Sequence, residues 1–596
     1  MKLRNEVDPK DTWDLSALYN NSKEFLADLE VIRGMADELA AQKGHWTKSA
    51  DALYRLLSLN DRMGILAERV CSYARLNFDS DMGDPERKDL YERLDYLLNS
   101  IGEKLAFVEP ELLQMEPETF REFIHEKPEL DHYNWMMTKL FRQKAHVLSA
   151  DQEELMTRMG SVAGSFDKIF DDLTVNDIVF PTIQDEEGKD LVANEANYRK
   201  ALESKNRELR ERYYKALLGT YENYINTITS TLAGNTKYHV LAAKSRKYPS
   251  SLHRALAPNN IPIEVYDNLI TTLRQQLAPL QDYLKLRKDV LGCEDLHFYD
   301  LFVPLVQRKA RSYTFAEAKD IVLAAVAPLG EEYQTNMRRA FDERWIDLYP
   351  NKGKATGAYA TGVYGIHPYS LLNFTGTLDD LFTIIHELGH AMHSFYSDNN
   401  QPFVDAAYCI FTAEVASTVN ENLLFHYMLD HSETSEERAE LLSSHLDGIR
   451  STLYRQSFFA DFERTMHQLV EKDEPMIPQV LCAQYRALYA LYYGPGFTID
   501  DCLTFEWSRI PHFYRPFYVY QYATGISAAI SLAKGILQDG PPSVKAYLNF
   551  LKSGGSKDPI DLLRGAGVDM STPAPIIRAV QDFQETLDAL KLELKA

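Results

Sequence analysis

Along most of the chain apolar residues recur at spacings of three and four, the period of a helix with one face turned to a core. Residues 153–173 (EELMTRMGSVAGSFDKIFDDL) are typical, with Leu155, Met159, Val162, Phe166 and Phe170 on that rhythm. The pattern predicts a mostly all-α protein. Two stretches interrupt it. In residues 175–192 (VNDIVFPTIQDEEGKDLV) β-branched and aromatic residues flank an acidic run with a glycine, which predicts a hairpin whose acids form a solvated turn. Residues 353–376 (GKATGAYATGVYGIHPYSLLNFTG) are rich in glycine and become strand-like over 369–374, directly before the next helical stretch.

That stretch, residues 378–396 (LDDLFTIIHELGHAMHSFY), carries the densest chemistry in the chain. Thr377 is placed to cap it, with Asp380 three residues on and Asp379 beside the positive end of the helix dipole. Asn399, Asn400 and Pro402 would end it. His386 and His390 then sit one turn apart on one face, where both imidazoles can bind one zinc ion at about 2.0–2.1 Å. Glu387, between them, projects near the metal without ligating it.

In a chain with 16 histidines the pair needs a third ligand to define a site. Three ligands in line on one straight helix do not converge on a tetrahedral ion, which argues against His393. The longer H-E-x-x-H-x-x-G-x-x-H pattern also fails, because His393 and Tyr396 stand at its glycine and third histidine. The remaining candidate is Glu414, in a second helical segment, 411–421 (FTAEVASTVNE), after a turn around 398–402. Two packed antiparallel helices would bring its carboxylate to the metal. A histidine pair plus a glutamate leaves one position open to water, as catalytic zinc requires. Asp379 and Glu421 lie seven residues from His386 and Glu414 and are candidates to orient the imidazoles.

Composition removes several other classes of function. With 596 residues, 45% hydrophobic and 25% charged, the chain can bury more than one lobe. Its net charge of −23 disfavours nucleic acid and anionic membranes as partners. No stretch has the uninterrupted apolar length of a membrane span, and residues 1–22 lack the apolar core of a secretory signal, so a soluble cytoplasmic protein is expected. The five cysteines are scattered and never in a C-x-x-C pair, which predicts free thiols.

The sequence resembles the oligoendopeptidase F family, within the thimet-oligopeptidase-like zinc peptidases, over nearly its whole length. The resemblance rests on WDLSALY at 13–19, PYSLLNFTGTLDDLFTIIHELGHAMHS at 368–394, TAEVAST at 412–418, YGP at 493–495 and PHFYRPFYVYQYATG at 511–525. Cues in the chain such as Pro181 with Gly188 and PNNIP at 258–262 divide it approximately into an N-terminal helical lobe over 1–200 and a catalytic region over 201–596. The resemblance implies a two-lobed helical shell around a deep substrate channel, with a small antiparallel β element near the active site. The family's zinc ligands fall on His386, His390 and Glu414, its general base on Glu387, and its histidine and tyrosines near the scissile carbonyl on His512, Tyr518 and Tyr522. The spacing from His512 to the tyrosines differs by a residue from the thimet branch, and Gly525 replaces a further tyrosine there. Tyr518 is accordingly placed first and Tyr522 second as oxyanion donor, with Tyr514 and Tyr520 assigned to packing or subsites.

The expectation is therefore hydrolysis of internal bonds in short unfolded peptides, using a single zinc ion per chain. Residues 369–374 are expected to offer a strand edge to the peptide backbone. Two rivals stand beside it. A zinc carboxypeptidase would need a cation for the substrate's terminal carboxylate, for which Arg509 and Arg515 are candidates. A non-catalytic peptide-binding protein would hold the same histidines for structure alone.

Overall fold

A computed structural model describes residues 1–306 and 311–595 and is dominated by α-helices. The chain forms two compact units, each built from three segments. The first comprises Met1–Lys144, Ala310–Tyr427 and Leu532–Val568, and the second Ala145–Lys309, Met428–Ser531 and Asp569–Ala596. The boundary expected at 200/201 falls inside the second unit, within the helix Glu195–Leu202. Among the described residues no helix is long and apolar enough to cross a membrane.

The strands are short. β1 (Thr182–Gln184) and β2 (Asp190–Val192) form the expected hairpin in the second unit, pairing Ile183 with Leu191. In the first unit β3 (Ile346–Asp347), β4 (Tyr359–Thr361) and β5 (Tyr369–Leu371) form a sheet ordered β3-β5-β4. This β element is mixed, since β5 runs parallel to β3 and antiparallel to β4. Its central position also corrects the expectation for residues 369–374. The two sides of Tyr369–Leu371 are taken by β3 and β4, so the outer strands of the sheet are Ile346–Asp347 and Tyr359–Thr361. Buried Lys354 ties the glycine-rich loop to the sheet, donating to the carbonyls of Asp347, Tyr349 and Leu372 at 3.1, 2.8 and 2.5 Å and pairing with the Asp347 carboxylate at 2.8 Å.

The sheet belongs to the core of the first unit. Val363, Tyr369 and Leu371 are buried with Phe25, Leu53 and Tyr73 of the N-terminal helices Ser22–Ala40 and Ala50–Ser80. The WDLSALY segment serves this core. Trp13 meets the Tyr369 ring edge-on at 6.4 Å, and the Tyr369 hydroxyl donates to the Asp14 carbonyl at 3.0 Å. Removing so large a buried ring would cost about 3–5 kcal/mol, and the loss would fall on the strand that leads into the helix carrying His386 and His390.

Four helices carry or flank the residues of interest: α1 (Leu378–Asp398), α2 (Ile410–Asp430), α3 (Arg455–Glu471) and α4 (Tyr520–Asp539), with His512 and Tyr518 in the segment before α4. The start of α1 is capped as expected. The Asp380 N–H donates to Thr377 Oγ1 at 3.2 Å, while the Asp380 carboxylate accepts from the Thr377 and Thr375 N–H groups, each at 2.9 Å. At its end the side chains of Asn399 and Asn400 donate to the Phe395 and Tyr396 carbonyls, both at 2.7 Å.

The helix predicted at 153–173 is present as Ala150–Asp171, but its buried face is rotated from the expected one. Met156, Ala163 and Phe170 are buried, whereas Leu155 and Val162 are exposed. Much of the chain's tyrosine is also core. In the second unit the buried carboxylate of Glu506 accepts from Arg455 at 2.6 Å and from the hydroxyls of Tyr485 and Tyr489 at 2.9 and 2.5 Å.

Candidate metal centre

Helical spacing puts His386 and His390 on one face of α1, and the packing of α2 brings Glu414 to the same point. Gly389 permits that packing. A Cβ there would lie 2.6 Å from Ser417 Cα on α2 and 3.0 Å from the Ala416 carbonyl oxygen, so no other residue fits without separating the helices. The three donor atoms form a nearly equilateral triangle. His386 Nε2 and His390 Nε2 are 3.2 Å apart, and Glu414 Oε2 lies 3.6 and 3.7 Å from them. Donors about 2.0–2.1 Å from a tetrahedral zinc ion stand roughly 3.3–3.4 Å from one another. The triangle therefore fits a small divalent ion, and among the described residues it is the one group of three or more such donors close enough to hold a metal.

The surrounding groups orient this triangle. Glu421, two turns along α2 from Glu414, accepts from His386 Nδ1 at 2.7 Å, which leaves Nε2 to face the metal position. His390 hydrogen-bonds to the backbone of Ala413, one residue before Glu414. His393 is excluded from the triangle. It is buried and stacked on Tyr408 at 3.6 Å.

Without a metal the site's electrostatics are strongly skewed. Burial pushes Glu387 up to about 7; His386 opposes this, the Glu414 and Glu421 carboxylates reinforce it, and a hydrogen bond from the Ala360 backbone opposes it weakly. Burial also works against charge on His386, but the Glu421 hydrogen bond and the carboxylates of Glu421, Glu387 and Glu414 outweigh it and hold the imidazolium up to about 9. Burial, with His386 adding to it, depresses His390 to about 3. The acceptor role of Ala413 and the donor role of Ala360 carry no side-chain signal. The close approach at Gly389 was legible only as a glycine between two histidines.

The second unit holds the other expected residues together. The rings of His512 and Tyr518 are nearly parallel with centroids 6.0 Å apart, and Tyr522 stands edge-on to both at 6.3 and 5.5 Å. The Tyr522 hydroxyl reaches the Tyr518 hydroxyl at 3.5 Å. Burial, aided by Arg515, lowers the pKa of His512, so its ring is neutral at pH 7. Tyr514 and Tyr520 pack elsewhere. Tyr514 shares a 2.6 Å hydrogen bond with Thr231, and Tyr520 lies against Tyr266 at 5.2 Å. Of the two arginines considered for a carboxylate anchor, Arg509 is committed to Glu195 and stacked on Tyr198. Arg515 is exposed.

The sequence model of "Peptidase family M3" matches residues 201–582, and that of "Oligopeptidase F" matches residues 111–180. The chain is 40% identical over 588 residues to the oligopeptidase PepF of Bacillus subtilis, covering 99% of this chain and 88% of that protein. An oligoendopeptidase F homolog of Lactococcus lactis is 36% identical, with 99% and 98% covered. The crystal structure of oligoendopeptidase-F from Enterococcus faecium superposes with a TM-score of 0.75 at 34% identity, covering 96% of this chain and 99% of that one. A Chlamydophila abortus structure gives 0.93 at 35% identity, covering 99% and 100%.

Proposed function

The chain belongs to peptidase family M3, and from that membership we propose that it is a zinc-dependent oligoendopeptidase, cleaving internal bonds of short unfolded peptides. The observation that carries this reading is the donor triangle of His386, His390 and Glu414 with Glu387 on the adjoining turn. The donor set, two imidazoles and one carboxylate, suits zinc and leaves a coordination position free. When bound, the ion would act as a Lewis acid and lower the pKa of a water molecule towards about 7.

The protein's own groups supply the rest. Glu387, buried between the two histidines, takes the proton of the attacking water and gives it to the departing amine. Glu421 fixes the His386 ring through its Nδ1. Tyr518, Tyr522 and His512 are assigned as donors to the oxygen of the reacting carbonyl. Their mutual packing and the family resemblance support the assignment. They would favour the transition state over the substrate because charge builds on that oxygen only during attack.

The peptide backbone is assigned to the free edge of β4, because the Ala360 backbone already meets Glu387 there. Main-chain pairing of this kind demands no particular side chain and would give broad sequence tolerance. The names of the relatives, oligopeptidase and oligoendopeptidase, support a preference for short peptides. All five cysteines are free thiols, which suits the reducing cytoplasm. The commitment of Arg509 to Glu195 weighs against a carboxypeptidase.

The deciding experiment maps cleavage sites in a mixed peptide library by mass spectrometry. Internal cuts that survive C-terminal amidation, and stop when a chelator is added, are expected. Loss of cleavage on amidation would overturn the endopeptidase reading.

A further inference from the structure

The segment that carries Tyr518 contains an unusual backbone conformation. Phe517 has φ of 53°, in the left-handed region that bulky residues avoid. Such strain persists only where the surroundings enforce it. Here one helix supplies two restraints. Glu463 of α3 accepts the Phe517 N–H at 2.6 Å, and His467, one turn on, packs its ring against the Phe517 ring at 4.4 Å. The Tyr266 ring closes the other side edge-on at 5.7 Å.

Glu463 has no other evident task. It is fully buried, its Oε2 has no hydrogen-bond partner, and among the described residues it has no ion-pair partner. Burial drives its carboxyl well above the ordinary carboxylate range, opposed by the hydrogen bond it accepts from the Phe517 N–H. An isolated acid is costly to bury, and an apolar residue would fill the same space more cheaply. The Phe517 N–H is what an apolar residue would leave unsatisfied.

We propose that Glu463 is a positioning residue: by holding the Phe517 N–H it fixes the left-handed turn that aims Tyr518 alongside His512 and Tyr522. Pro516 and Phe517 form a turn shortly before α4 begins at Tyr520, and Tyr518 directly follows Phe517. Were Phe517 to relax to an ordinary helical or extended conformation, the side chain of Tyr518 would leave its place parallel to the His512 ring. The proposal rests on the assignment of Tyr518 to the carbonyl oxygen only for its effect on rate, since the effect on Phe517 is independent of it.

The test compares Glu463→Gln, which keeps an acceptor oxygen, with Glu463→Met, which keeps the bulk and removes the acceptor. Each is made in the intact protein and in a Tyr518→Phe background. Glu463→Gln is expected to keep kcat within about twofold, and Glu463→Met to lower it about 100-fold, the scale of a small misplacement, with little change in KM. In the Tyr518→Phe background Glu463→Met should add less than about a twofold loss, because both changes act through one hydroxyl. An equal loss in both backgrounds overturns the proposal.

If Tyr518→Phe alone leaves kcat unchanged, the catalytic reading of Tyr518 fails. The crystal structure of Glu463→Met then decides the positioning claim: a Phe517 out of the left-handed region upholds it, and one unchanged overturns it. Should Glu463→Met not fold, Glu463→Gln decides. Retained activity supports the acceptor role, and a more than tenfold loss at unchanged melting temperature overturns it.

Discussion

The His386 cluster and the His512 cluster reach order by different routes. In the first, two helices do the work: the pitch of α1 sets the histidines a turn apart, Gly389 lets α2 approach, and Glu421 locks the His386 ring. In the second, Tyr518 precedes its helix and hangs on a left-handed phenylalanine held by a buried acid from another element. Regular backbone makes geometry a consequence of spacing. Irregular backbone makes it a consequence of contacts distant in sequence. The first cluster should therefore respond to changes in its own residues, and the second also to changes at residues that touch no substrate.

The sharpest break comes from Glu387→Gln. The substitution keeps shape and removes the base, so hydrolysis is expected to fall by about 10²–10⁴-fold. Metal content, read by atomic absorption, should stay at one ion per chain because Glu387 is outside the donor triangle. A protein that merely binds peptides would keep its function in this variant.

Tyr518→Phe tests the other side of the comparison. Loss of one oxyanion donor is expected to lower kcat by about 10²–10³, or roughly 2.7–4 kcal/mol of transition-state stabilisation. Metal affinity, measured by competition with a chromogenic chelator, should not move. A larger loss in Tyr522→Phe than in Tyr518→Phe would reverse the ranking of the two hydroxyls.

The contrast between the clusters also explains what could be read from the chain. His386, Glu387 and His390 were legible because helix period alone puts them together, and the capping box at Thr377 and Asp380 marks where that helix starts. Glu414 was legible as a residue on a second helix, but its closeness depends on the Gly389–Ser417 approach, which no local pattern encodes. Strand pairing was the weak point. Tyr369–Leu371 reads as a strand, yet whether it is an edge depends on Ile346–Asp347, more than twenty residues earlier. The exposure of Leu155 and Val162 has the same origin, since periodicity identifies a helix but tertiary packing selects its buried face. Nor does any residue type announce that Phe517 is left-handed.

Glu421→Gln is expected to have a smaller effect, about 10–100-fold on metal affinity, as for other groups that orient a metal-binding histidine. It should also alter the proton balance of metal binding, which is the finest test of the site. In the metal-free protein His386 is held up to about 9, so at pH 8 it carries a proton that must leave before its nitrogen can bind a metal. His390, depressed to about 3, has none to lose. Binding at pH 8 should release close to one proton, and affinity should rise with pH up to about 9 and flatten beyond it. Calorimetric titration in buffers of different ionisation enthalpy gives the number directly.

The same shift has a defined sign for stability. Because the His386 value rises on folding from an ordinary 6.5, its contribution to the metal-free fold is complete below 6.5 and is lost as pH climbs through about 9. Glu387, raised from 4.5 to about 7, adds a loss in the same direction over that lower window. Below 6.5 the depressed His390 acts in the opposite sense, so the metal-free protein is expected to melt at falling temperatures between pH 7 and pH 9. In Glu421→Gln, where the largest support for the His386 charge is gone, both the upper part of that fall and the proton released at pH 8 should shrink together. Proton release unchanged in this variant would mean that Glu421 does not hold the His386 imidazolium, and the proposed orientation of the metal-facing nitrogen would lose its basis.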